Sequence, residues 1–129
     1  MIKALIFDCF GVLVEVQKNH DILADILELR KNYKIAVLSN TNKATFERFF
    51  SNEMTDMYFD ELILSHEEDI AKPDPEIFIL AACRLNVKTE ECVFIDDSIY
   101  NILAAKNVGM KTILYKNIED FHQKLENLR

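Results

Sequence analysis

Glycine and proline are scarce in this chain, two of each among 129 residues. So few of either leaves little room for long flexible connections, and no low-complexity tract, internal repeat or linker interrupts the sequence. Basic residues are also in deficit. Fifteen Lys and Arg stand against 22 Asp and Glu, a formal charge of -7, and no basic stripe gathers anywhere. Nucleic acid is thereby excluded as a partner, because holding a phosphate backbone requires clustered cations that release its counterions. Cys9, Cys83 and Cys92 are odd in number, form no CxxC pair and lie in apolar contexts, so reduced core thiols are expected, as suits the cytosol. The opening MIKALIFD is broken by Asp8 before a signal-peptide core could complete, and no apolar run reaches membrane-spanning length. The expectation is a cytoplasmic protein without a membrane span.

What the chain does have is hydrophobic residues, half of the total. At this length they suffice for one domain over residues 1–129, burying roughly two-thirds of the extended surface. Strand-length apolar blocks recur at Ala4–Phe7, Ile35–Leu38, Leu62–Leu64, Val93–Ile95 and Thr112–Tyr115. Each is continuous rather than alternating, the pattern of a strand covered on both faces. Between and after them run helical patterns: His20–Lys31 with Ile22, Leu23, Ile26 and Leu27 on one side, Lys43–Ser51 with Phe46, Phe49 and Phe50, then Pro75–Leu85, Ile99–Asn107 and Ile118–Leu128. Asp74 before Pro75 reads as an N-cap, and Gly109 as a helix terminator. Alternation of this kind predicts an α/β fold, a three-layer α/β/α Rossmann-like domain around a five-stranded parallel sheet.

That topology gives meaning to the polar residues. Asp8 ends the first strand, Ser39 and Asn40 end the second, Lys72 follows the third, and Asp96 with Asp97 ends the fourth. Carboxyl ends of parallel strands share one crevice, so these residues should converge. Three carboxylates crowded there need a counterion, and hard oxygen donors with room for water suit Mg²⁺. A hydroxyl and backbone N–H groups at Ser39 and Asn40, with the Lys72 ammonium, would suit a phosphoryl group. Each piece also has a plainer reading: Asp-Asp-Ser as a helix cap, Ser-Asn-Thr-Asn as a turn, KPDPE as a helix start. His20, His66 and His122 have no ligand spacing, and the SHEED run reads as a solvated acidic loop.

FDCFGVL, VLSN, AKPDPEIF and FIDDSIYNILAAKNVGM, in that order, resemble the four signature motifs of the haloacid dehalogenase-like (HAD) hydrolase superfamily. The resemblance spans nearly the whole chain. It implies Mg²⁺-dependent phosphate-ester hydrolysis through an aspartyl-phosphate on Asp8, with Lys72 as the second catalytic residue. Ser39, Asn40 and Lys72 would bind phosphate. Asp8, Asp96, Asp97 and the backbone carbonyl of Phe10 would hold the metal, and Asn101 would support them.

Two departures from the family pattern stand out. The general acid/base aspartate expected two positions after the nucleophile is Phe10, which cannot carry a proton, so turnover should be slow by about 10²–10⁴-fold. Dehalogenases of the superfamily carry an aromatic residue near this position, but they need no metal, whereas the Asp96–Asp97 pair is kept here. The second departure is the cap. Residues 14–21 occupy its expected insertion point, yet only VEVQKNHDILADILELRKNYK separates Leu13 from the second strand, so a capless, open crevice is expected. A phosphorylated small molecule, a larger substrate or a partner chain would have to cover it. Loss of a cap from a longer parent would leave Phe10, Val14 and Val16 as an outward apolar patch favouring homo-oligomers, unless Val14 and Val16 fold back as a small hairpin. The alternative to an enzyme is a non-catalytic phosphate- or metal-binding module, or a minimised scaffold.

Overall fold

The computed structural model describes residues 1–129. Five parallel strands, β1 (Ala4–Phe7), β2 (Lys34–Ser39), β3 (Glu61–Leu64), β4 (Cys92–Asp96) and β5 (Lys111–Leu114), form one sheet in the order β3-β2-β1-β4-β5. The helices are α1 (His20–Leu29), α2 (Lys43–Glu47), α3 (Asn52–Tyr58), α4 (Ser65–Glu68), α5 (Pro75–Arg84), α6 (Ile99–Asn107) and α7 (Ile118–Leu128). No helix is long and apolar enough to cross a membrane.

Side chains alternate across the strands and split the core in two. Leu5, Phe7, Ile35, Val37, Val93, Ile95 and Ile113 join Ile22, Ile26 and Phe121 of α1 and α7. On the other face Ala4, Ile6, Leu38, Ile63 and Phe94 meet Ile77, Phe78 and Ala81 of α5 and Ile102 of α6. Both faces are covered, which is why the strand blocks are continuously apolar.

Several sequence expectations need correction. The pattern over Lys43–Ser51 is not one helix: α2 stops at Glu47, and Ser51 caps α3 by accepting a hydrogen bond from Met54 N at 3.2 Å. The break lets Phe46 and Phe50 stack at 5.0 Å and Phe59 close on Phe50 at 5.5 Å. SHEED is not a loop but the helical turn α4 with Ser65 buried, because Ser65 Oγ and His66 N both donate to Thr41 O. Leu27 is exposed and Leu29 buried in its place, and Cys83 is exposed on α5 while Cys9 and Cys92 are in the core.

The chain between β1 and β2 folds back tightly. Cys9 O accepts hydrogen bonds from the amides of Val12, Leu13 and Val14, while Gly11 N donates to Val14 O. Isolated bridges pair Phe10 with Val14 and Val14 with Lys18. Val14 is therefore buried, Phe10 is half-buried with its ring edge-on to Phe49 at 5.5 Å, and of the three only Val16 stands fully out. The expected outward patch thus shrinks to one side chain. The folded-back arrangement is the one found.

Candidate active site

β1 and β4 run in register, Phe7 opposite Ile95, so the residues after them are neighbours on the same face. Asp8 N donates to Ile95 O at 2.9 Å, and Tyr115 N fixes Asp96 O at 2.8 Å. Asp8 and Asp96 are consequently presented side by side toward the α5–α6 layer. Lys72 reaches them from the loop before α5: Nζ donates to Asp8 Oδ1 at 2.7 Å and to Asp96 Oδ2 at 2.9 Å, with side-chain exposures of only 2%, 10% and 1% for Lys72, Asp8 and Asp96. The Phe94 ring lies 5.6 Å from the ammonium. A buried cation between two carboxylates compensates charges that would otherwise be untenable there.

Asp96 is the most constrained member. Besides Lys72, its Oδ2 accepts from Asn101 Nδ2 at 3.1 Å and its Oδ1 from Ser98 N at 2.9 Å. Asp97 turns outward and is exposed. Its carboxylate rests on Gly11, whose φ of +100° suits a residue without Cβ, and a Cβ there would overlap the carboxylate. Burial, more than the like charges of Asp96 and Asp97, pushes the Asp8 pKa up to about 7 against the pull of Lys72. Asp97 is also raised, by desolvation first and Asp96 second. Crowded carboxylates with raised proton affinity are the electrostatic mark of a missing counterion.

Ligand oxygens of Asp8, Asp96 and Asp97 lie within 4.8 Å of one another. Opposite ligands of Mg²⁺ at about 2.0–2.1 Å each would be about 4.2 Å apart, so the trio needs only a slight closure to fit. All three donors are hard oxygens, which suits that ion and not a thiophilic one.

Ser39 ends β2 and is buried. Asn40 differs from its expected use: Nδ2 donates to Lys72 O at 2.9 Å and Oδ1 accepts from Lys72 N at 2.8 Å. With both amide ends clasping the lysine's backbone, the side chain positions Lys72, and what Asn40 can offer an anion is its main chain. Two further residues escaped the sequence reading. Asn19 caps α1 through Oδ1, and its Nδ2 donates to Val12 O at 3.1 Å and to Tyr115 Oη at 2.8 Å, tying the loop after Asp8 to the segment after β5. Gly11 was visible in its motif, but its pressure on Asp97 was not.

A family model described as a haloacid dehalogenase-like hydrolase matches residues 20–109, which include Ser39, Lys72, Asp96 and Asp97. The chain is 34% identical over 109 residues to a glyceraldehyde 3-phosphate phosphatase of Pyrococcus abyssi, covering 83% of this chain and 44% of that protein. It is 36% identical over 106 residues to a D-ribitol-5-phosphate phosphatase of Bacteroides thetaiotaomicron, covering 78% and 52%. The chain thus spans about half the length of these curated relatives. Among solved structures, a HAD family enzyme of Bacteroides thetaiotaomicron in complex with magnesium and inorganic phosphate superposes with a TM-score of 0.83 at 22% identity, over 90% of this chain and 95% of that one. That likeness is one of fold.

Proposed function

Because the chain belongs to the haloacid dehalogenase-like hydrolase family, we propose that it is a Mg²⁺-dependent phosphatase-type hydrolase that works through an aspartyl-phosphate on Asp8. The observation that carries this reading is the buried Lys72 ammonium bridging Asp8 and Asp96, with Asp97 beside them at the carboxyl ends of the strands. The phosphatase names of the relatives agree with it.

In this reading Asp8 Oδ attacks phosphorus in line with the departing oxygen, and water later releases the phosphate from Asp8. Lys72 keeps the carboxylate oriented and offers positive charge to the incoming phosphoryl oxygens. Its reach is fixed by Asn40, which grips both of its backbone groups. Ser39 and the main chain at Asn40 bind the remaining oxygens. Asp8, Asp97, Asp96 and the Phe10 carbonyl would hold Mg²⁺, and Asn101 and Ser98 N keep Asp96 from rotating. A bound Mg²⁺ would supply charge compensation for the phosphate oxygens and for the crowded carboxylates. A hydrophobic Phe10 leaves the leaving-group proton without a carrier, so turnover is slow. The segment between β1 and β2 contributes a tight loop and α1 alone, and the crevice is covered by the substrate itself or by a partner.

One observation favours a second reading, a non-catalytic scaffold. With its pKa near 7 in the metal-free site, Asp8 is partly protonated at neutral pH, and a protonated carboxyl is a poor nucleophile. Hydrolysis of para-nitrophenyl phosphate, measured with and without Mg²⁺ for the parent chain and for Asp8→Asn, separates the two. Release of phenolate that needs both Asp8 and Mg²⁺ supports the enzyme; equal inertness of both chains supports the scaffold.

A further inference from the structure

The groups able to hand a proton to a departing oxygen are few and already committed. Lys72, Asp96 and Asp97 are the charged groups that act most strongly on Asp8. Lys72 spends its donors on Asp8 and Asp96, and both Asp96 oxygens accept hydrogen bonds. Asp97, as a cation ligand, must be deprotonated. Cys9 is fully buried in the apolar cluster, with its thiol pushed up to about 12 by desolvation and by Asp8. No histidine side chain is hydrogen-bonded to Asp8, Lys72, Asp96 or Asp97; His122 is turned to Asp25 across α1 and α7. In-line displacement puts the departing oxygen on the far side of phosphorus from Asp8, away from the Lys72 side of the carboxylate. The side chain that the loop after Asp8 supplies is the ring of Phe10, half-buried and braced edge-on by Phe49 at 5.5 Å.

We propose that the site is selective for phosphoryl donors whose departing group leaves as a stabilised anion, acyl phosphates and aryl phosphates, and discriminates against simple alkyl phosphates. The inference rests on the hydrolase reading above and names its substrate class. As the Asp8 Oδ–P bond forms, the P–O bond to the leaving group breaks, and its electron pair departs with the carboxylate or phenolate. No proton moves in that step. Water then attacks the phosphorus of the aspartyl-phosphate, the Asp8 carboxylate is restored, and hydrogen phosphate and a proton go to solvent. An alkoxide cannot leave in this way, since it must be protonated as it departs. The apolar Phe10–Phe49 pair also offers an aryl group a surface that a polyol would not use.

The test is a leaving-group series on the intact chain with Mg²⁺: acetyl phosphate, para-nitrophenyl phosphate, phenyl phosphate and ethyl phosphate, each run for wild type, Asp8→Asn and Phe10→Asp. The expected result is a steep fall in Asp8-dependent kcat/KM from the first donor to the last. Phe10→Asp should then raise ethyl phosphate turnover by roughly 10²–10⁴-fold while changing acetyl phosphate by less than about tenfold. Wild-type kcat/KM for ethyl phosphate within about tenfold of para-nitrophenyl phosphate would overturn the selectivity and leave the hydrolase standing. No Asp8-dependent turnover of any donor would instead remove the hydrolase reading itself. Should Phe10→Asp fail to fold, the wild-type series decides alone. Acid-quenched mass spectrometry with acetyl phosphate provides a second readout, phosphate retained on Asp8.

Discussion

On the inner side of the rim, Lys72, Asp8, Asp96, Ser98 and Asn101 are joined by hydrogen bonds of 2.7 to 3.1 Å around two carboxylates that barely touch solvent. On the outer side, where the loop after β1 and the first turns of α6 leave the sheet, Val16, Ile99, Tyr100 and Leu103 present exposed hydrocarbon. The first region is over-determined: each group is held by at least one partner from a distant segment. The second is held by nothing but its own backbone. The contrast separates two properties of a hydrolase, since the inner region fixes how phosphate would be handled and the outer one leaves open what carries it.

Breaking the inner region should have the largest effects. Asp8→Asn is expected to reduce aryl phosphate hydrolysis to background while leaving the fold intact, read by rate and by circular dichroism together. Lys72→Met should be the most destabilising change, by about 3–5 kcal/mol in denaturant titration, because Asp8 and Asp96 then face each other uncompensated. That deficit should shrink as pH falls and the carboxylates take up protons. Gly11→Ala, forced against Asp97 at φ +100°, should cost about 1–3 kcal/mol and diminish the rise in melting temperature produced by Mg²⁺.

A pH series sharpens the comparison without mutation. The Asp8 pKa is raised from 3.8 to about 7, so between those values the folded protein keeps a proton that the unfolded chain has lost. Stability of the Mg²⁺-free protein should therefore fall as pH rises across that window and level off above it, and saturating Mg²⁺ should flatten the slope. Absence of any slope in thermal melts would mean that Asp8 is not desolvated. The smallest effect belongs to the outer region: Tyr100→Ala and Leu103→Ala should change stability by no more than about 0.5 kcal/mol and leave para-nitrophenyl phosphate turnover unaltered.

The same contrast explains what could be read from the sequence. β1, α6 and α7 match their apolar patterns residue for residue, because burial on two faces or one leaves a periodic trace. Polar strand ends such as Lys34, Glu61 and Lys111 were missed, since extended backbone continues past the last apolar side chain. The convergence of Asp8, Lys72, Asp96 and Asp97 was legible from topology alone, as parallel strands deliver their carboxyl ends to one edge. The clasp of Asn40 on Lys72 and the Asn19–Tyr115 tie were not. Each joins a side chain to a segment far along the chain, and nothing in local spacing announces such a pairing. The apolar first turns of α6 were hidden for the opposite reason, reading like any core-facing helix.

The sheet order carries a consequence for how the molecule comes into being. β1 lies at the centre, between β2 and β4, yet it is the first strand to leave the ribosome. Its neighbour β4 is made only after most of the chain, so nascent β1 has an unclaimed hydrogen-bonding edge, and Asp8 stays solvated, until synthesis is almost over. Recognition of phosphate is therefore a late event in biogenesis, and an incomplete chain that lacks β4 also lacks Asp96 and Asp97, two of the three carboxylates that would seat the cation.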